Sequence, residues 1–378
     1  MRSSLKRSLL ASAAAAALLV MGLAGCSDGG NEPTGETTQP ATTEATDNGT
    51  DGELSGKIAF LMPDRGSTRY EEQDWPHFQA KVAELCPKCE TIYQNADAKP
   101  DVQQQQVEAI ITQGVDVVVI DAVDTTAAAA VVRQMMAEGI RVVTYDRPVP
   151  EGGADFYVSF DNEALGVLYA EDLIQHLQAT NAPIGNGEGI LIVNGSPADD
   201  AAMLIKKGAE AGIATGEWPV LAEFDTPDWL PSNAQSWVSE QWTQFGDKII
   251  AVACANDGTA SGAIAALKAG GADPLPPVTG NDAEIAAIQR IVAGDQYNTI
   301  SKPIYIVAEA TAEVAVQLLK GETPEPTDTL FDTPSMLFIP EVVTQANVQA
   351  VMIDSGIYTY DEICTAEYKA ACDALGIK

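Results

Sequence analysis

Residues 101–145 read DVQQQQVEAIITQGVDVVVIDAVDTTAAAAVVRQMMAEGIRVVTY. An amphipathic run, Asp101–Gln113, leads into the apolar run Asp116–Asp121; a second helical run, Thr125–Glu138, leads into Arg141–Tyr145. The apolar runs are short, dense in Val and Ile, and lack polar alternation, the pattern of strands covered on both faces. Strand and helix alternating at this spacing build βαβ units and therefore parallel sheets. The same grammar extends outward. Lys57–Met62 and Glu90–Gln94 precede this stretch as strand candidates, and Gly189–Asn194, Lys248–Cys254 and Tyr297–Ser301 follow it. Helical runs fall at Glu163–Leu177, Thr259–Ala269 and Pro303–Lys320, the last opened by Pro and closed by Gly321. The fold class is α/β.

Ahead of this body lies a different kind of sequence. Arg2, Lys6 and Arg7 precede the apolar run Leu9 to Val20 and then Leu23-Ala24-Gly25-Cys26. A basic start, a short apolar stretch and a small-residue site describe a secretory signal, and the run is shorter than the roughly 20 residues of a spanning helix. The L-A-G-C end resembles the bacterial lipobox, which implies cleavage before Cys26 and a lipid on its thiol. Ser27 to Ser55 has no Lys, Arg or aromatic residue and reads as a flexible tether, unable to bury enough surface to order itself.

Charge narrows the partners. Removing Arg2, Lys6 and Arg7 with the signal takes the 21 basic residues to 18 against 54 acidic ones, a formal charge of −36. Such a surface repels phosphate backbones and anionic lipid, so nucleic acid is excluded and the membrane is met only through the anchor. With two histidines, His77 and His176, and one CxxC, no metal site is expected; Cys86-Pro87-Lys88-Cys89 reads as a local disulfide in an oxidising compartment, Cys364 and Cys372 as a second pair, and Cys254 as a buried thiol. No G-x-x-x-x-G-K-[ST] phosphate loop is present, and no cofactor is expected.

In open parallel sheets ligands sit beyond the carboxyl ends of the strands. Polar residues stand there: Asp64-Arg65, Asp146-Arg147, Gly195-Ser196-Pro197, Asn256-Asp257 and Lys302. Read singly, each has a plain meaning: Asp146 and Arg147 a surface ion pair, Arg69 and Lys302 solvated charges, Trp229 core or an exposed helix-start aromatic, Asn256 or Asp257 a helix cap.

Read together, they resemble a family. Lys57-Ile-Ala-Phe-Leu-Met-Pro, Arg69-Tyr70, Gln113-Gly-Val-Asp-Val-Val-Val-Ile120, Tyr145-Asp-Arg147 and Phe156-Tyr-Val-Ser-Phe-Asp-Asn-Glu163 come in order. Asn194-Gly-Ser-Pro197, Trp229-Leu-Pro231, Ala255-Asn-Asp257, Gly280-Asn-Asp282 and Lys302-Pro303 follow. From about Lys57 to the region of Pro340 the chain resembles the type I periplasmic sugar-binding proteins of ABC importers, the ribose and xylose type, the xylose binders most.

The resemblance implies two Rossmann-like lobes with parallel sheets, joined by three crossings near Phe160–Asn162, Lys302–Pro303 and Ser335–Pro340, which swing shut on a sugar. It places lobe one at 56–160 plus 303–335 and lobe two at 161–302 plus 336–378, after a signal at 1–25 and a tether at 26–55. It implies a monomer that hands a monosaccharide to an ABC permease and its ATPase, outside the cytoplasmic membrane, without catalysis. Arg69, Arg147 and Lys302 would donate to sugar oxygens, Asp146 and Asp282 accept, and Asn256 do both, with Tyr70 and Trp229 against the ring. The chain departs from the xylose binders at Asp199-Asp200-Ala201-Ala202, where those proteins carry Asp-Asn-Asn-Ala. It departs also at Asn281, where they carry Gln, and at Tyr70, where Trp is usual. Asp199 and Asp200 join the candidate ligand set, and xylose or a related aldopentose or hexose is the expected sugar. A sugar-sensing receptor of the same fold is the nearer alternative. A secreted glycosidase, which needs two carboxylates about 5–10 Å apart, is the distant one.

Overall fold

The computed structural model describes residues 53–378; the signal-like segment, Cys26 and the tether up to position 52 lie outside the described residues. The first half alternates up to β4, after which β5 follows without a helix: β1 (Lys57–Met62), α1 (Trp75–Leu85), β2 (Glu90–Asn95), α2 (Pro100–Thr112), β3 (Val117–Ile120), α3 (Thr125–Ala137), β4 (Arg141–Tyr145) and β5 (Phe156–Phe160). Then come α4 (Asn162–Ala179), β6 (Gly189–Asn194), α5 (Asp200–Ile213), β7 (Val220–Asp225), α6 (Pro231–Phe245), β8 (Ile249–Cys254), α7 (Asp257–Gly270), α8 (Ile285–Ala293) and β9 (Thr299–Ser301). α9 (Ile304–Leu319), β10 (Asp328–Leu330), β11 (Thr333–Phe338), β12 (Glu341–Val343), α10 (Tyr360–Ile363) and α11 (Lys369–Leu375) close the chain.

Lobe one is a seven-stranded sheet in the order β10-β11-β5-β4-β3-β1-β2, parallel except for the β10–β11 hairpin. Val117–Ile120 is buried throughout because the sheet is covered on both faces. Ile58, Phe60 and Val119 pack under α1 and α9, while Ala59, Leu61 and Val118 pack under α2 and α3. Lobe two carries three parallel strands, β7-β6-β8, with α4 and α5 on one face and α6 and α7 on the other.

Several boundaries differ from the sequence reading. Leu54 already packs on the lobe-one core, so the globular body begins inside the segment assigned to the tether. β11 stays in register with β5 through Phe338, which carries the lobe-one sheet past the expected division at 335/336. The stretch Tyr297–Ser301 shrinks to β9, which pairs antiparallel with β12 outside the three-stranded sheet. Residues 344–378 form a cap over α8, its cluster including Val348, Met352 and Ile363. Disulfides join Cys364 to Cys372 within that cap and Cys86 to Cys89 after α1, and Cys254 is a buried free thiol. No helix among the described residues is long and apolar enough to cross a membrane.

Candidate ligand-binding site

The carboxyl ends of the two sheets face each other across a cavity of about 260 Å³. Arg69, Tyr70, Asp146 and Arg147 reach it from lobe one; Asp199, Trp229, Asn256 and Asp282 reach it from lobe two; Lys302 reaches it from a crossing.

The lobe-one wall is built from coupled charges. Tyr70–Asp74 is a short π-helical turn ahead of α1. It presents the fully buried Asp74 carboxylate to Arg69, whose Nε and Nη2 donate to it at 3.0 and 2.8 Å. The Tyr145 hydroxyl donates to the same carboxylate. That bidentate grip leaves Arg69 Nη1 to reach Asp146 at 3.4 Å, and the guanidinium lies 5.2 Å from the Tyr70 ring. Asp146 follows β4 in a left-handed conformation (φ 56°), and the Tyr157 and Ser159 hydroxyls donate to its carbonyl at 2.7 and 2.9 Å. This turn aims the carboxylate into the cavity. Burial pushes that carboxyl up, but Arg69, Lys302 and Arg147 together outweigh burial and hold it below the usual range.

Arg147 is 7 % exposed, so the surface ion pair that its sequence suggests with Asp146 does not form. Its Nη1 donates to the Ala122 carbonyl at 3.1 Å and its Nη2 to Asp64 at 3.0 Å. Its Nε lies 3.3 Å from Asp199, across the cleft, and 3.6 Å from Asp121. Asp121 is wholly buried and neither carboxylate oxygen has a hydrogen-bond partner in the structure. Burial drives its carboxyl well above the usual range against the pull of Arg147.

The lobe-two wall is set by turns and caps. Asp199 caps α5 by accepting from Ala201 N–H at 2.8 Å, and its other oxygen accepts from the Trp229 indole at 3.0 Å. Burial, opposed first by Arg147, leaves its carboxyl raised. Trp229 lies so close over Gly195 that a Cβ there would meet the ring at 2.1 Å, which accounts for glycine after β6. Asn256 is both a cap and a lining residue. Its amide oxygen accepts from Thr259 N–H at 2.8 Å, which leaves its NH2 group for a ligand.

Asp282 sits in a left-handed turn (φ 102°) and pairs with Lys302 at 2.8 Å. Its loop is held from beneath by the fully buried Asp257, which accepts from Thr299 at 2.9 Å, Gln296 at 2.8 Å and Glu284 N–H at 3.0 Å. A Cβ at Gly280 would meet that carboxylate at 2.1 Å. Burial, then Glu284 and Asp282, push the Asp257 carboxyl well up.

Asp200 is the one candidate that is not brought to the cavity. Being the first residue of α5 rather than its cap, it turns away from Asp199 and contacts Thr125 of α3 instead. The cavity also holds residues outside the sequence-derived set: Asp64, Asn162, Asn281 and Glu284. Asn281 is 2 % exposed with an unpartnered amide oxygen, and Glu284 accepts from Ser67 of lobe one at 3.2 Å. No cluster of three or more metal-ligating side chains occurs among the described residues.

Two α/β lobes linked by three crossings, with polar groups of both converging on one cavity, define the two-lobed solute-binding class with the type I periplasmic fold. The chain belongs to the periplasmic binding protein domain family, whose model matches residues 58–323. It is 35% identical over 315 residues to the D-xylose-binding periplasmic protein of Escherichia coli K12, covering 81% of this chain and 92% of that one. It is 32% identical over 334 residues to the multiple sugar-binding periplasmic receptor ChvE of Rhizobium radiobacter, covering 82% and 92%. Among solved structures it resembles an ABC transporter solute-binding protein from Clostridium phytofermentans with bound β-D-glucose. The TM-score is 0.72 at 26% identity, covering 81% of this chain and 99% of that one.

Proposed function

We propose that this chain is an exported solute-binding lipoprotein, anchored through Cys26, that captures a monosaccharide and delivers it to an ABC importer, with D-xylose or a related aldopentose or hexose as its ligand. One observation carries the reading: Arg69, Asp146 and Arg147 of lobe one meet Asn256, Asp282 and Trp229 of lobe two around a single cavity of about 260 Å³. A pyranose needs donors and acceptors around its rim and an aromatic face against its C–H surface, and these residues supply both. Six carboxylates and four cationic side chains line the cavity. That balance favours a neutral polyol over a sugar phosphate or uronate, whose charge would meet uncompensated acids.

Groups that now satisfy one another, such as Lys302 with Asp282, would share their hydrogen bonds with sugar hydroxyls. Because contacts come from both lobes, the sugar favours the closed arrangement by its differential affinity for it. Reaction chemistry forms no part of this reading; the carboxylates recognise hydroxyls.

The test is a thermal-shift screen of the intact protein against pentoses, hexoses and cyclic polyols. A ligand at about a hundred times its dissociation constant adds roughly 2.7 kcal/mol of stability. A screen in which no monosaccharide raises the melting temperature refutes the assignment. Membrane retention that is lost, with release of unlipidated protein, on substitution of Cys26 tests the anchor.

A further inference from the structure

Among the described residues, side-chain polar contacts tie lobe one to lobe two at several places around the cleft. Arg147 with Asp199 and Ser67 with Glu284 lie in the cavity lining, so any ligand that enters disturbs them. Another lies outside it. The Thr125 hydroxyl donates to Asp200 at 2.6 Å and accepts from Asp200 N–H at 3.2 Å, while Thr125 N–H donates to the Ala198 carbonyl at 3.1 Å. Thr125 is 1 % exposed, and none of the three residues lines the cavity.

The contact brings two helix N-termini together, since Thr125 and Asp200 are the first residues of α3 and α5. Two such ends repel through their partial positive charges. The caps Asp124 and Asp199 and the Asp200 carboxylate set negative charge against both ends, which turns a repulsive approach into an attractive one.

We propose that the Thr125–Asp200 clasp is a latch that stabilises closure without touching the ligand, so that it sets affinity and residence time equally for every sugar and selectivity for none. The proposal rests on the reading of the cleft as a sugar site that opens and closes. In a two-state cleft, apparent affinity scales with the competent fraction, and a contact made only in the closed state raises that fraction whatever is bound. Asp199 and Asp200 thus divide the work of one helical turn: the first faces the ligand, the second faces the opposite lobe.

The experiment compares the intact protein with Thr125→Val and Asp200→Ala, using nitroxides introduced by Gln104→Cys and Gln235→Cys, both exposed, to measure the distance between lobes without ligand. Each variant is expected to shift the distribution toward longer distances. Dissociation of D-xylose and of D-glucose is expected to accelerate by a common factor, roughly 3- to 10-fold for a lost hydrogen bond. Thr125→Ser, which keeps the hydroxyl, is expected to match the parent, and Asp200→Ala carries the test if Thr125→Val fails to fold. An unchanged ligand-free distance, or acceleration factors that differ between the two sugars, overturns the latch. If neither sugar binds, the sugar assignment fails, while the distance measurement still decides the latch.

Discussion

The two walls of the cleft reach the same end by different physics. In lobe one, Arg69 and Arg147 are held by carboxylates of their own lobe, Asp74 for the first and Asp64 and Asp121 for the second. Asp74 and Asp121 are fully buried, so the same charges that would face a sugar also compensate the core. In lobe two, Trp229 and Asp282 ride on turns with left-handed residues, φ 56° and 102°, and Asn256 doubles as a helix cap. Apart from the Asp282–Lys302 pair, their positions depend on backbone and on hydrogen bonds from neutral donors, to Asp257 beneath the Asp282 loop and from the Trp229 indole to Asp199. Binding and folding are therefore inseparable in the lobe-one wall and separable in the lobe-two wall.

Arg147→Ala is the strongest test of that contrast. It leaves Asp64 and Asp121 without their cation, and breaking a buried pair by removing one partner costs about 3–5 kcal/mol. Loss of sugar binding together with a large fall in melting temperature is expected in calorimetry and thermal denaturation. An unchanged melting temperature would dissolve the distinction between the walls. Asp282→Asn should behave otherwise. Asn tolerates the left-handed turn, and Asp146 remains close enough to influence Lys302. Replacing a charged acceptor by a neutral one should weaken binding by about 1–2 kcal/mol with melting little changed, measured by titration with the best sugar of the screen. A stability loss matching that of Arg147→Ala would show lobe two to be built like lobe one.

These contrasts also explain which residues can be found without a structure. Asp146, Arg147, Asn256 and Lys302 follow apolar runs, and a parallel sheet puts such positions at the cleft regardless of how the lobes pack. The sequence motif around Gly280 and Asp282 marks the loop because glycine alone clears Asp257 there. Asp121 ends an apolar run in the same way, yet its burial beneath Arg147 depends on β3 pairing with β4 and on a side chain reaching back over both. Asp200 differs from Asp199 by one step around the first turn of α5. Which of two adjacent aspartates faces a ligand is fixed by cap geometry, and the partner of the other lies 75 positions away. Asn281 shows in the sequence only as a departure from Gln in its motif; its unpartnered oxygen appears only once the cavity does.

Trp229→Phe probes a smaller term. Phe keeps an aromatic face over Gly195 but drops the indole donor to Asp199, a carboxylate already raised by burial. A loss of about 1 kcal/mol in sugar affinity is expected, from one hydrogen bond, with most of the ring contact retained. A loss several times larger would mean that the indole fixes Asp199 against Arg147 and not merely the ring against the sugar.

The smallest effect expected is on the pH dependence of stability, and it compares the walls directly. Asp121 in lobe one, and Asp257 and Glu284 in lobe two, all have carboxyls raised by burial, with neighbouring carboxylates adding to the rise in both lobes. A group raised in the folded state binds its proton more tightly there than in the unfolded chain. Between the usual carboxylate range and the raised values the folded protein therefore holds more protons, and stability falls as pH rises. Melting temperature should climb by a few degrees as pH is lowered from about 7 to about 5. Asp146 acts with the opposite sign: held below the usual range, it contributes stability that is lost only as pH falls through its own depressed value, so the curve turns over in stronger acid. Asp257→Asn and Asp121→Asn should each flatten the climb, and their relative effects rank the two walls. A melting temperature that falls steadily from neutral pH downward would mean that these buried carboxyls are ionised and compensated throughout, and that the two walls differ in geometry alone.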